Sequence, residues 1–135
     1  MNLDLTAIKE VIRLADICSE ASSKTSQRFS LAQLSEYLSD PAVEESRRCT
    51  QKLEDYMNSL DYDTILDLKA LMLMGRDHDY RESDSYEVRF QDCRDYFARS
   101  HPDPEGKSLA VDYLASKSDL GQYLKDGLIA AGVRL

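Results

Sequence analysis

Few residues of this chain combine the types and the spacing that chemistry requires. Asp77, His78 and Asp79 form the only place where a histidine stands between carboxylates, and both groups bind divalent metals. Adjacent residues rarely converge on one ion, and the sequence offers no second metal-binding segment, so a solvated loop after a helix is the favoured interpretation. Glycine-rich phosphate loops, zinc spacings and nucleophile motifs are absent. We therefore predict no catalytic residue, no metal and no cofactor, and an enzyme is not favoured.

Arg76 directly precedes this triplet, at the predicted end of a helix. A guanidinium there can satisfy free carbonyl groups and offset the helix dipole, or it can meet an anionic ligand or partner, and both roles stay open. Tyrosine is also abundant, with eight tyrosines against three phenylalanines, and tyrosines on apolar helical faces suit core edges or interfaces. The candidate binding residues are Arg76, Asp77, His78, Tyr113 and Tyr123.

Charge and cysteine content exclude several classes of function. Twenty-five acidic residues against seventeen basic ones give a formal net charge of −8. Without a strongly basic segment, binding to nucleic acid or to anionic membranes lacks its main driving force. Cys18, Cys49 and Cys93 are odd in number and lack metal-ligand spacing, which argues against a disulfide framework or a zinc site. The first residues lack the features of a signal peptide, and no apolar run approaches the roughly 18 residues of a membrane span. We expect a cytoplasmic protein.

The elements that must position the candidate residues are predicted to be helices. Residues 1–135 have the length of one domain, and apolar residues recur with the helical period in almost every segment. The most apolar run, 65–74, belongs to a helix at about 63–75 that we expect at the centre of the core, with Gly75 closing it in the left-handed conformation. The prediction is an all-α, compact single-domain bundle of five to seven helices around this central helix.

Local signals mark where the other helices begin. Asp4 or Thr6 can cap a first helix that runs to about residue 21, and Asp40 followed by Pro41 starts a helix that runs to about residue 60. The remaining start signals are a capping box of Asp84 and Glu87, and Ser118 as the cap of a last helix at 118–131.

Composition predicts two connections and the inward faces of the helices. The serine-rich residues 19–30 are expected to be a frayed helix end and a mobile connection, and residues 100–106 a loop with two prolines and a glycine. Short helical pieces are expected at 31–38 and 109–114. The predicted inward residues are Ile8, Val11, Ile12, Ala15 and Cys18; Cys49, Leu53, Tyr56 and Leu60; Tyr86, Phe90, Cys93 and Phe97; and Leu120, Tyr123, Leu124, Gly127, Leu128 and Ala131.

Two stretches carry a resemblance to a known family. The first contains LDYD at 60–63 and ALMLMGR at 70–76, and the second contains YLA at 113–115 and DLGQYLKDGL at 119–128. Together they resemble the small bacterial proteins grouped as domain of unknown function 3775. The resemblance implies a bacterial source and a helical fold, and it implies no activity.

The favoured hypothesis is a cytoplasmic, non-enzymatic helical module that regulates or acts through protein contact, including contact with a second copy as a homodimer. The expected contact surface is the tyrosine-bearing face of the helix at 118–131 together with the end of the helix at 63–75. One alternative is a small-molecule-binding protein or minor enzyme, with a pocket between the central helix and the two C-terminal helices and Arg76, Asp77 and His78 at its rim. Another is an acidic mimic of nucleic acid, whose carboxylates would line one exposed ridge.

Overall fold

The computed structural model describes residues 3–23, 41–77 and 85–133. In these ranges every regular element is a helix, so the chain is all-α as predicted. The six helices are α1 (Leu5–Ser23), α2 (Pro41–Asn58), α3 (Tyr62–Asp77), α4 (Tyr86–Ser100), α5 (Glu105–Ala115) and α6 (Leu120–Ala130).

Helix α3 runs through the middle of the fold. It packs against α4, α5 and α6, while α1 packs on α2 and α6, and α2 packs on α5. Four of its apolar residues are completely buried in the main hydrophobic cluster: Ile65, Leu68, Leu71 and Met72. A helix that is apolar on most sides must be covered on most sides, which confirms the predicted central helix.

Two glycines let the backbones of α3 and α6 approach each other. The sequence predicted that Gly75 ends α3. The helix instead continues to Asp77, and Gly75 is buried within it. A Cβ atom at Gly75 would overlap the carbonyl oxygen of Tyr123 on α6, and one at Gly127 would overlap the carbonyl oxygen of Leu71. Gly127, which was predicted on the inward face of the last helix, therefore permits this close contact, whereas the helix-closing role predicted for Gly75 is wrong.

The helix starts agree only partly with the sequence signals. Asp4 caps α1, since its Oδ1 accepts the amide hydrogen of Ala7 at 3.1 Å. Ser85 caps α4 by accepting the amide hydrogen of Val88 at 3.2 Å, one residue after the predicted Asp84, which lies outside the described residues. The prediction of Ser118 as the cap of α6 is wrong, because the residue at this position is Asp119, which makes no side-chain capping bond.

The predicted connections are shorter where they are described. Residues 19–23 belong to α1, and residues 24–30 and 31–38 lie outside the described residues. The loop between α4 and α5 spans only 101–104, because α5 begins at Glu105, where the amide of Gly106 donates to the carbonyl of Pro102 at 2.8 Å.

The predicted inward faces largely form the core. On α1, Ile8 and Val11 are completely buried, and on α4 Phe90 is the buried residue. On α2 the predicted Leu53 is buried, Met57 is fully buried although the sequence pattern missed it, and Cys49 and Tyr56 are only partly buried. None of the helices in the described ranges is long and apolar enough to cross a membrane.

Candidate functional site

Three basic side chains converge on the ring of Tyr113. Lys69 and Arg76 lie seven residues apart on α3, which is about two turns, so both project toward the same side of the helix. Tyr113 lies on α5, and Lys117 follows four residues later, just beyond the end of that helix. The short turn after α5 thus brings a second lysine to the same ring.

The contacts around this ring are close enough for cation–π attraction, which extends to about 6 Å. The Lys69 Nζ lies 4.7 Å from the centroid of the Tyr113 ring and 4.0 Å from that of Phe97 on α4. The Lys117 Nζ lies 4.4 Å from the Tyr113 centroid. Arg76 Nη1 donates a hydrogen bond to the hydroxyl oxygen of Tyr113 at 2.8 Å. We call Lys69, Arg76, Phe97, Tyr113 and Lys117 the Tyr113 cluster.

The cluster carries more positive charge than its surroundings neutralise. Arg76 Nε donates to Asp77 Oδ1 at 2.8 Å, and this hydrogen bond raises the pKa of the guanidinium. Burial lowers the pKa of the Lys69 ammonium, because the charged form has lost part of its hydration. In the described part of the chain, no carboxylate lies within ion-pair distance of Lys69 or Lys117. An excess of cations thus sits on a chain of net charge −8.

Three of the five predicted binding residues, Arg76, Asp77 and Tyr113, are linked by hydrogen bonds in the structure. Arg76 contacts both Asp77 and Tyr113 through its side chain, so its guanidinium is engaged by two side chains. Tyr123 lies on α6, partly buried against the core, and His78 lies outside the described residues. Within residues 3–23, 41–77 and 85–133, no group of three His, Cys, Asp or Glu side chains could hold a metal ion.

Sequence reasoning missed Lys69, Phe97 and Lys117 as members of the cluster. The signal for Lys69 was available, since only it and Asp67 carry charge within the apolar run 65–74. Phe97 was predicted only as a core residue, and it also stacks on the ring of His101, with centroids 4.8 Å apart. Nothing in the spacing of Lys117 distinguishes it from a solvated surface lysine.

The apolar side chains of the predicted contact surface on the last helix pack against other helices of the same chain. Leu120, Leu124 and Leu128 of α6 are buried, and the helix packs closely against α3 and also against α1. Its apolar face was therefore predicted correctly, but the fold itself covers that face. Leu120, Leu124 and Leu128 are therefore not available to a partner, whereas the end of α3 with Arg76 is only partly buried.

A family model described as a protein of unknown function, DUF3775, matches residues 50–133. This chain belongs to the DUF3775 family. The matched range includes α3 to α6 and the whole Tyr113 cluster, whereas α1 precedes it. The resemblance seen in the sequence is thereby confirmed, while the bacterial source that it implied stays a prediction. Neither the curated proteins nor the solved structures include a match to the chain.

Proposed function

We propose that this DUF3775 protein is a non-enzymatic interaction module, and that the Tyr113 cluster binds an acidic segment of a partner protein. The observation that carries the proposal is the convergence of Lys69, Arg76 and Lys117 on one tyrosine ring. Complementary charge steers and orients protein association. The chain as a whole is acidic and repels other acidic proteins, so an acidic partner segment is expected to bind only at this local cationic surface.

The cluster is already organised for contact. The ring of Tyr113 holds the two lysine ammonium groups in place, and the hydrogen bond from Arg76 fixes the hydroxyl. Binding then loses less side-chain entropy than it would with freely rotating lysines. Tyrosine and arginine are also enriched in protein interfaces, where a large flat side chain excludes water around a charge.

The other hypotheses have weaker support. Carboxylates of the described helices pair with nearby bases in several separate places, such as Glu10 with Arg13 and Asp16 with Lys125, and this pattern does not favour an acidic mimic of nucleic acid. The free cysteines fit a reducing compartment, so we expect the interaction to occur in the cytoplasm.

A labelled acidic peptide tests the proposal directly. Fluorescence anisotropy would measure binding of a peptide rich in glutamate and aspartate, with a basic peptide of equal length as the comparison. We expect wild-type protein to bind the acidic peptide, and salt to weaken this binding because part of the attraction is screened. Absence of binding to the acidic peptide, or equal binding of the basic peptide, would refute the proposal.

Two charge reversals separate the cluster from the overall charge. Lys117→Glu removes a cluster cation, whereas Lys52→Glu makes the same charge change on the exposed surface of α2. We expect Lys117→Glu to weaken peptide binding by about tenfold or more and Lys52→Glu to leave it nearly unchanged. Equal losses in both variants would mean that net charge, not the cluster, governs binding.

Sedimentation velocity of the same proteins identifies whether the acidic partner is a second copy. A wild-type dimer that Lys117→Glu dissociates, and Lys52→Glu does not, would make the partner another copy of this chain. A monomer that still binds the acidic peptide would make it a different protein.

A further inference from the structure

A second site, with the opposite charge, lies between α3 and α4. Asp63 and Asp67 of α3 and Glu87, Phe90 and Arg94 of α4 line a cleft of about 540 Å³. This volume falls within the range of ligand pockets. None of these residues belongs to the Tyr113 cluster, so this site is independent of the proposed function.

Asp67 is an unusual residue for the interior of a helical domain. Its exposed fraction is 9%, and within the described ranges no other polar or charged residue is buried to this degree. Arg94 Nε lies 3.0 Å from Asp67 Oδ1, but this buried nitrogen is not aligned for a hydrogen bond and has no other partner. The Asp67 carboxylate thus has an ion-pair neighbour, yet it accepts no hydrogen bond from the described residues.

The lining of the cleft carries more negative than positive charge. Arg94 is shared, because its Nη2 donates to Asp63 Oδ1 at 3.3 Å. Together with Glu87, three carboxylates face one guanidinium. Burial raises the pKa of Asp67 to about 6, and the opposing effect of Arg94 is the smaller one. A cationic group that entered the cleft would offset this excess of negative charge.

We propose that this cleft binds an aliphatic primary ammonium group, with the Asp67 carboxylate as its acceptor. An ammonium donates up to three hydrogen bonds, whereas the Asp67 carboxylate accepts none from the described residues. Phe90, which is 4% exposed, lies at the base of the cleft, and Val88 lies at its edge. These two side chains provide an apolar surface along which a hydrocarbon stem packs while its charged end meets Asp67.

Other ligand classes fit this site less well. The three carboxylates repel anions, and no group of the described residues could supply three ligands to a metal ion. A neutral alcohol would fill the apolar part of the cleft but would bring no positive charge to the three carboxylates, which outnumber the single guanidinium. The site therefore predicts selectivity for the charge of the ligand and not only for its length.

Isothermal titration calorimetry with n-pentylamine at pH 8 tests the proposal, with 1-pentanol and pentanoate as neutral and anionic analogues of equal length. We expect the wild-type protein to bind the amine at least about tenfold more tightly than either analogue. The proposal is wrong if the amine does not bind, or if pentanol binds equally well.

Two variants assign any binding to the cleft. Asp67→Asn keeps the shape of the side chain and removes its charge, and we expect it to weaken amine binding by about tenfold or more. Asp92→Asn makes the same change on the exposed surface of α4, outside this cleft, and should bind like the wild type. Unchanged amine binding by Asp67→Asn, with its helical content intact by circular dichroism, would overturn the assignment.

A lysine with both backbone ends blocked distinguishes the two sources of an aliphatic ammonium. If the blocked lysine binds as tightly as pentylamine, the cleft accepts a lysine side chain of a protein. If only pentylamine binds, the natural ligand is a small free amine.

Discussion

Replacing Asp67 by asparagine is expected to stabilise the protein at neutral and alkaline pH, although the change removes one half of an ion pair. Burial raises the pKa of Asp67 from 3.8 to about 6 in spite of the neighbouring Arg94. Each pKa unit corresponds to about 1.4 kcal/mol, so a shift of about two units corresponds to a free energy of ~3 kcal/mol. The buried carboxylate destabilises the folded state by this amount when it is ionised.

The pH dependence follows from the direction of the pKa shift. Below pH 3.8 the carboxyl group is protonated in both the folded and the unfolded state, and Asp67 does not affect stability. Between pH 3.8 and about 6 the folded state binds more protons than the unfolded state, so stability falls as pH rises. Asparagine stands in for the neutral carboxyl group. The variant should therefore exceed the wild type by up to ~3 kcal/mol at pH 8, and by only ~1 kcal/mol at pH 4.5.

Urea unfolding at these two pH values, followed by circular dichroism, measures the effect. The matched control is Asp63→Asn, which removes a carboxylate that also pairs with Arg94 but whose side chain is 83% exposed. Its unfolding free energy should change by less than about 1 kcal/mol, because exposed ion pairs contribute little. A loss of stability in Asp67→Asn at pH 8, or a gain that is equal at both pH values, would refute the reasoning.

Three further predictions follow from packing, capping and cysteine burial. Gly75→Ala should lower the free energy of unfolding in urea by more than about 3 kcal/mol, because its Cβ would overlap the Tyr123 carbonyl oxygen. The control Gly132→Ala, at a φ of 80° but in open space, should lower it by only about 1 kcal/mol. Equal losses in the two variants would contradict the close contact at Gly75. Ser85→Ala should lower the unfolding free energy by about 1 kcal/mol through the lost α4 cap, whereas Ser85→Gly should lose only a few tenths, and a neutral alanine variant would show that the cap is not needed. Burial, with a smaller effect of Cys49, raises the pKa of Cys18 to about 11. Iodoacetamide at pH 8 should therefore alkylate Cys18 much more slowly in the folded protein than in the urea-unfolded protein, as measured by mass spectrometry. Equal rates would contradict this burial.

The amino-acid pattern was sufficient for the fold class and for most of the core. Helical periodicity is a local property, and it placed Ile8, Val11 and Phe90 on buried faces without knowledge of what covers them. The apolar run at 65–74 likewise required burial on most sides, which only a central position provides. The prediction for α2 missed Met57. It placed Cys49 and Tyr56 on the inward face, and the helical spacing also allows a neighbouring face that contains Met57.

Roles that depend on a neighbouring helix were predicted less well. A glycine near the end of an apolar run looks like a helix terminator, and only the approach of α6 shows that Gly75 is a point of backbone contact. The candidate site divides in the same way. Arg76 and Tyr113 were singled out separately from their surroundings in the sequence, but 37 residues separate them, and their hydrogen bond exists only because α3 and α5 pack together.

The sequence by itself determined that the chain forms amphipathic helices around an apolar one, because side-chain periodicity and composition act over one or two turns. It also revealed the two charges, Asp67 and Lys69, within the apolar run. Only the tertiary structure decided their opposite surroundings: Asp67 faces a cleft with Arg94, whereas Lys69 lies over the rings of Phe97 and Tyr113. Their positions two residues apart on α3 turn them toward different sides of the helix, and the helices that pack on those sides supply the partners.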